Sequence, residues 1–252
     1  APILSTDAQV VIYETSSFFA PNGVKTLQVL PSVPQQESHP WLVPVGQAYR
    51  VALETFNSGR YISFNFLQRD VPEGYETTLT VYFLPDCPAE QPNCAQEWQR
   101  LEQTERFVEN LIVAPLQTTN GVYAIMATIK GPALQAGWNL LTYPLLDTRC
   151  VGECPPAAAA EGCLGNVLAS IKGQYNGLSL ATVDGINLTA PVQPSLAVNY
   201  LEPQFVYWIH ITEAPATPYF APPKRAPDGN YPDCQLAGSG FKSFNYLPMI
   251  HH

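Results

Sequence analysis

Cysteine is the residue in this chain with the widest choice of chemistry. The stretch "TRCVGECPPAAAAEGCLG", residues 148–165, holds Cys150, Cys154 and Cys163, and Cys87, Cys94 and Cys234 complete a set of six. Thiolates of this kind hold zinc, attack as nucleophiles, or oxidise in pairs. Structural zinc sites favour C-x2-C knuckles, whereas the last four cysteines are separated by three, eight and then seventy residues. A reactive thiol needs a cationic neighbour or a histidine; Arg149 supplies the first, and no histidine is near in sequence. An even count in Pro-rich loops favours disulfides. Cys87–Cys94 closes "CPAEQPNC", and closing so short a loop stabilises by roughly 2–3 kcal/mol in the chain-entropy relation. Cys154–Cys163 and Cys150–Cys234 are the expected further bridges, one of three pairings open to those four. Oxidised pairs place the chain outside the cytosol.

The remaining reactive side chains are sparse. The histidines are His39, His210, His251 and His252. His39 lies in the loop "QESHPW", His210 in an aromatic strand, and the last two at the end of the chain, where they receive no metal. There is no G-x-S-x-G, H-E-x-x-H, P-loop or G-x-G-x-x-G. A glycosidase needs two carboxylates across a cleft, and nothing singles out a pair among Glu73, Glu76, Asp147, Glu202 and Glu213. Calcium loops of the D-x-D-x-D-G kind are lacking; Asp228, Asn230 and Asp233 of "APDGNYPDC" read as turn formers. No catalytic residue, cofactor or metal ligand is assigned, and the chain is expected not to be an enzyme. Of the four tryptophans, Trp138 and Trp208 lie in apolar runs and are expected in the core. Trp41 and Trp98, flanked by polar residues and proline, are the candidates for stacking on a glycan.

Charge narrows the partners. Across 252 residues, 12 Lys+Arg face 21 Asp+Glu for a net charge of −9, and charged residues make up only 13%, about half the usual share. Without a basic stripe, nucleic acid and anionic lipid are excluded, and no apolar run reaches the roughly 18–20 residues that span a bilayer. The 25 prolines, about twice the usual share, suggest disorder, but 4 Trp, 13 Tyr and 11 Phe provide a core. The start "APILSTDAQ" matches a mature product after signal-peptide removal, and Asn187-Leu188-Thr189 is a glycosylation sequon.

The elements that would position these residues are strands. Turn signals recur at Asn22-Gly23, Asn120-Gly121, Asn176-Gly177, Asp184-Gly185 and Asp228-Gly229, pairs that suit tight hairpins. Between them run short β-branched and aromatic segments. In "YISFNFL", Ile62, Phe64 and Phe66 alternate with Tyr61, Ser63, Asn65 and Leu67, and Leu79, Val81 and Phe83 alternate in "TTLTVYFL". Period 2 with frequent turns predicts antiparallel sheets. One short helix is expected at residues 165–173, capped by Asn166, with Val167, Leu168 and Ile171 on its apolar side. The fold class is all-β: an extended arm at 1–8, a β-sandwich at 9–131, a smaller β-rich module at 133–214 and a Pro-rich tail at 215–252. The tail's aromatic residues, Tyr219, Phe220, Tyr231, Phe241, Phe244 and Tyr246, are expected to lie along a surface.

The segments "AGWNLLTYPLL", "VLASIKGQYNGLSLA" and "LEPQFVYWIHI" together resemble a module of bacterial cell-surface and extracellular proteins. It runs Gly137-Trp138-Asn139-Leu140, then Ser170, Ile171, Gly173 and Tyr175, then Leu201, Pro203, Tyr207, Trp208 and Ile209. The likeness departs at Val206, before Tyr207, and in the cysteine-bearing insertion 150–163. The first half, through "PVGQAYRV", "SFNFLQRDVPEGYETTLTVYF", "WQRL" and "NGVYAIMAT", is similar to β-rich repeats of secreted bacterial proteins. The resemblance implies a surface role and supplies no catalytic residue.

Two expectations follow. The first is a self-assembling, non-enzymatic subunit of a bacterial surface filament, sheath or surface layer, with copies of itself as partners. In that reading Ile3, Leu4, Val10, Val11 and Ile12 form an arm that pairs with an open sheet edge of the next subunit. For residues 9–15, a first strand of the chain's own sandwich is an equal alternative. The second is an adhesive or carbohydrate-binding module.

Overall fold

A computed structural model of the chain describes residues 2–14, 24–34, 39–54, 59–72, 75–88, 90, 94, 96–102, 104–107, 110–152, 166–181, 189–203 and 205–222. The structure is all-β. Its first half is a sandwich of two five-stranded antiparallel sheets. One sheet orders β1 (Ile3–Leu4), β2 (Val10–Glu14), β5 (Arg60–Asn65), β9 (Leu111–Pro115) and β8 (Glu105–Phe107). The other orders β3 (Val24–Leu30), β4 (Pro44–Leu53), β10 (Gly121–Ala127), β6 (Leu79–Pro85) and β7 (Gln99–Arg100).

Alternation decides which side chains meet between the sheets. Ile62, Phe64 and Phe66 bury as one face, as their period implies, against Val10, Ile12, Ile112 and Ala114 of the same sheet. Val45, Tyr49, Val51, Val81, Phe83, Tyr123 and Ile125 come from the opposite sheet to complete this core. The second sheet is covered on its other face too. Ala48, Tyr82, Leu84, Val122, Ala124 and Met126 form a smaller cluster roofed by Leu42 and by the partly buried Leu30, Val33, Trp41 and Trp98. Every residue of β10 is therefore buried.

Residues 2–8 fold back in this structure. Ile3 and Leu4 of β1 pair with Ile12 and Val11 of β2, and β2 pairs with β5 inside the sandwich. The short turn is organised by Asp7, whose carboxylate accepts from Ser5 Oγ, the Gln9 amide and, at 2.8 Å, the Tyr49 hydroxyl of the facing sheet. Partial burial alone would raise the Asp7 pKa, but these hydrogen bonds outweigh it and leave it below its ordinary 3.8. A lowered carboxylate pKa stabilises above the unfolded value and is lost as pH falls through the folded one. Amide exchange at residues 5–10 is therefore expected to speed up as pH falls below about 3.8, relative to Asp7→Asn, in which that acid limb should be absent.

The second half is built on a three-stranded sheet, with β16 (Val206–Ile211) between β12 (Gly137–Thr142) and β14 (Tyr175–Leu180). A two-stranded ladder of β13 (Arg149–Cys150) and β15 (Tyr200–Leu201) lies beside it. Leu141, Tyr207, Ile209, Leu178 and Ile211 make its core, which also takes in Tyr75 from the first half. The helix expected at 165–173 is a 3-10 turn at Ala169–Ile171. Asn166 does not cap it: the N-cap position is Leu168, which has no side-chain cap, and Asn166 Oδ1 accepts from the Leu168 amide ahead of the turn; Val167, Leu168 and Ile171 are buried as expected. The tail's leading residues belong to this half: Ala216 and Phe220 are in its core, and β17 (Tyr219–Phe220) pairs with β11 (Ile129–Lys130). Tyr231, Phe241, Phe244 and Tyr246 lie outside the described residues.

The two Asn-Gly pairs within the described residues are not hairpin turns. Gly121 opens β10, where an added Cβ would strike the Leu84 carbonyl oxygen and the Phe83 ring. Gly177 sits at a register shift in β14, crowded by Trp138, His210 and Pro194. Both glycines answer a lack of room rather than a need for positive φ.

Candidate functional site

The described cysteines are oxidised: Cys87–Cys94 is a disulfide, and Cys150 is also disulfide-bonded. Cys154, Cys163 and Cys234 lie outside the described residues. Arg149 does not activate a thiol: its Nε donates to Asp147 Oδ2 at 2.7 Å, with both side chains 3% exposed.

The first bridge has a positional consequence. It closes the excursion between β6 and β7, whose near end is fixed by Arg50 on Asp86 at 2.7 Å. The chain leaves that excursion at Trp98, whose Nε1 donates to the Pro34 carbonyl at 3.0 Å. Trp41 is anchored separately, its carbonyl accepting from Thr128 Oγ1 and the next carbonyl but one, of Val43, from the Ala127 amide. Two distant segments thus bring Trp41 and Trp98 onto the same face of the second sheet.

There they line one open cleft of about 390 Å³. Its sandwich wall holds His39, Tyr82, Glu97 and Arg100 beside the two tryptophans, and the second half contributes Ser170, Gln174 and Tyr219. His39 stands edge-on to Trp41, 5.2 Å between ring centres. Tyr82 and Arg100 are directly opposite each other on β6 and β7. Burial raises the Tyr82 pKa to about 12, against the opposing charge of Arg100, so the phenol remains a neutral O–H at physiological pH. Its oxygen is shielded from water beside the Arg100 side chain, whose Nε has no hydrogen-bond partner. The far wall is held by Ser170: its Oγ accepts from the Tyr219 amide at 2.8 Å and donates to the Tyr219 carbonyl at 3.3 Å.

Of the residues singled out by sequence, the structure unites Trp41, Trp98 and His39, and leaves the others apart. Both tryptophans are half-covered rather than free, each packing one side on the smaller cluster. Trp138 and Trp208, expected in the core, instead occupy the outer face of β12 and β16, each partly exposed. The alternation Tyr207, Ile209 and Ile211 inward forces Trp208 and His210 outward. His210 has an ordinary structural setting, with Asn176 Oδ1 at 2.7 Å from Nδ1 and Trp138 edge-on. Tyr82, Arg100, Ser170, Gln174 and Tyr219 were not legible as site residues. One local signal existed: Trp98 and Arg100 are two apart, so an extended strand points them the same way.

Comparison of the chain with protein-family models, with curated proteins and with solved structures finds no match.

Proposed function

We propose that this chain is a non-enzymatic extracellular module that binds carbohydrate in the cleft between its halves, serving as an adhesive part of a bacterial surface protein. The observation that carries this reading is the convergence of Trp41 and Trp98 on one cleft with His39, Glu97, Arg100 and Gln174. A pyranose presents an apolar C–H face and a rim of hydroxyls. Flat indole surfaces suit the former, and fixed donors and acceptors suit the latter. The volume lies within the range of small-ligand sites. The Cys87–Cys94 bridge and the resemblance to surface modules support an extracellular setting.

The test is a glycan array probed with the whole labelled chain. Trp98→Ala and Trp41→Ala are each expected to weaken retention at least about tenfold, equivalent to roughly 1.4 kcal/mol, with an unchanged far-ultraviolet dichroism spectrum. An array with no retained glycan for the unaltered chain would remove the reading.

A second reading, the self-assembling subunit of a filament, sheath or surface layer, draws on the edge of the first sheet. That sheet ends in β1, only two residues long, with Leu4 54% exposed. Such an edge can accept a strand from another copy. Monomers at every concentration in sedimentation, and no fibres by electron microscopy, would count against it.

A further inference from the structure

Arg100 is the charge in the cleft that the chain leaves under-compensated. Its side chain is only 21% exposed, and its nearest anion, Glu102, is 3.7 Å from Nε, too far for a hydrogen bond. Glu102 is committed elsewhere, accepting from Lys130 Nζ at 2.6 Å, which holds its pKa below the ordinary carboxylate value despite some burial. Two cations therefore share one carboxylate that is itself 60% exposed. Glu97 also lines the cleft, but it is exposed, so water screens it more than it screens a largely covered guanidinium. Opposite Arg100 stands Tyr82, whose buried hydroxyl feels the guanidinium charge. In a chain of net charge −9, a covered arginine whose Nε has no partner, beside two indoles, is a recognition feature for an anion carried on a ring. Arginine meets carboxylates in a fixed planar geometry that lysine cannot reproduce.

We infer that the cleft selects an acidic sugar: a uronate whose carboxylate is held by Arg100 while its ring lies against Trp41 or Trp98. This rests on the glycan reading above and narrows it to a substrate class. Glu97 and Gln174 then serve the ring hydroxyls, and Ser170 and Tyr219 close the far wall.

The experiment is calorimetric titration of the whole chain with galacturonate, glucuronate and mannuronate oligomers, each beside its carboxyl-reduced neutral counterpart. At least one uronate oligomer is expected to bind about tenfold or more tightly than its reduced partner. Arg100→Gln should erase that difference, bringing the acidic and reduced members to a common affinity. Raising sodium chloride from about 0.05 to 0.5 M should weaken the acidic member of the pair more than the neutral one, because a partly covered ion pair is still screened in part. The salt arm needs no variant, so it stands even if Arg100→Gln fails to fold. Equal affinity for the acidic and reduced members, or binding of neutral oligomers alone, overturns the uronate inference and leaves carbohydrate binding intact. No binding of either member, together with an empty glycan array, overturns both.

Discussion

Asp147→Ala is expected to lower the unfolding free energy by about 3–5 kcal/mol, the cost of leaving a buried charge without its partner. Asp147 and Arg149 are two residues apart and almost wholly enclosed, joined by a single 2.7 Å hydrogen bond. Burial raises the Asp147 pKa, and Arg149 opposes that rise without cancelling it. The pair is incompletely served: Arg149 Nη2 is buried without a hydrogen-bond partner, while the neighbouring Tyr143 hydroxyl helps to hold the Asp147 carboxylate. Arg149 alone would then be a cation sealed in the second core. The control is the double variant Asp147→Leu with Arg149→Met, which removes both charges and fills similar volume. It should recover most of the loss, since apolar replacements of buried pairs are commonly neutral or stabilising. Urea unfolding of the three proteins decides the matter. A single variant as stable as the parent would show that water reaches Arg149.

Gly121→Ala is the second large effect. Gly121 pairs with Val51 on one side and Pro85 on the other, and its absent side chain points where the Leu84 carbonyl and the Phe83 ring already lie. Backbone cannot step aside as a flexible side-chain end can. Overpacking of this sort costs about 1–3 kcal/mol and occasionally more, here on the central strand of the sheet that floors the cleft. Thermal unfolding should show a clear drop in midpoint, whereas Gly59→Ala, with open space around it and a positive φ, should cost only the backbone strain of a left-handed alanine. Similar losses at both positions would mean that room is not what selects Gly121.

The strands were legible because burial imposes a period of two, and Ile62, Phe64 and Phe66 show it cleanly. Among the described residues six strands, β1, β7, β11, β13, β15 and β17, have two residues each, too few to display any period. Asn120-Gly121 and Asn176-Gly177 misled for a related reason. The dipeptide advertises conformational freedom, while crowding by Phe83 or Trp138 is set by residues far away in sequence. The candidate site divides along the same line. Trp41 and Trp98 stood out locally as tryptophans among polar residues and prolines. Tyr82 and Arg100 became partners only through the pairing of β6 with β7. Ser170 and Tyr219 meet across 49 residues, a distance at which composition carries no signal. Tyr219 and Phe220 belong to a Pro-rich tail whose aromatics are expected to lie along a surface, and Phe220 is buried against the second half because β17 returns to β11.

The place of β10 between β4 and β6 bears on how the polypeptide comes into being. Synthesis delivers both outer neighbours before the rung that joins them, so a nascent chain ending near residue 115 holds two strands with open ladders and nothing between. Such a half-zipped layer leaves two strand edges open until residue 127 emerges. That sheet is assembled outside-in, with its central strand laid last.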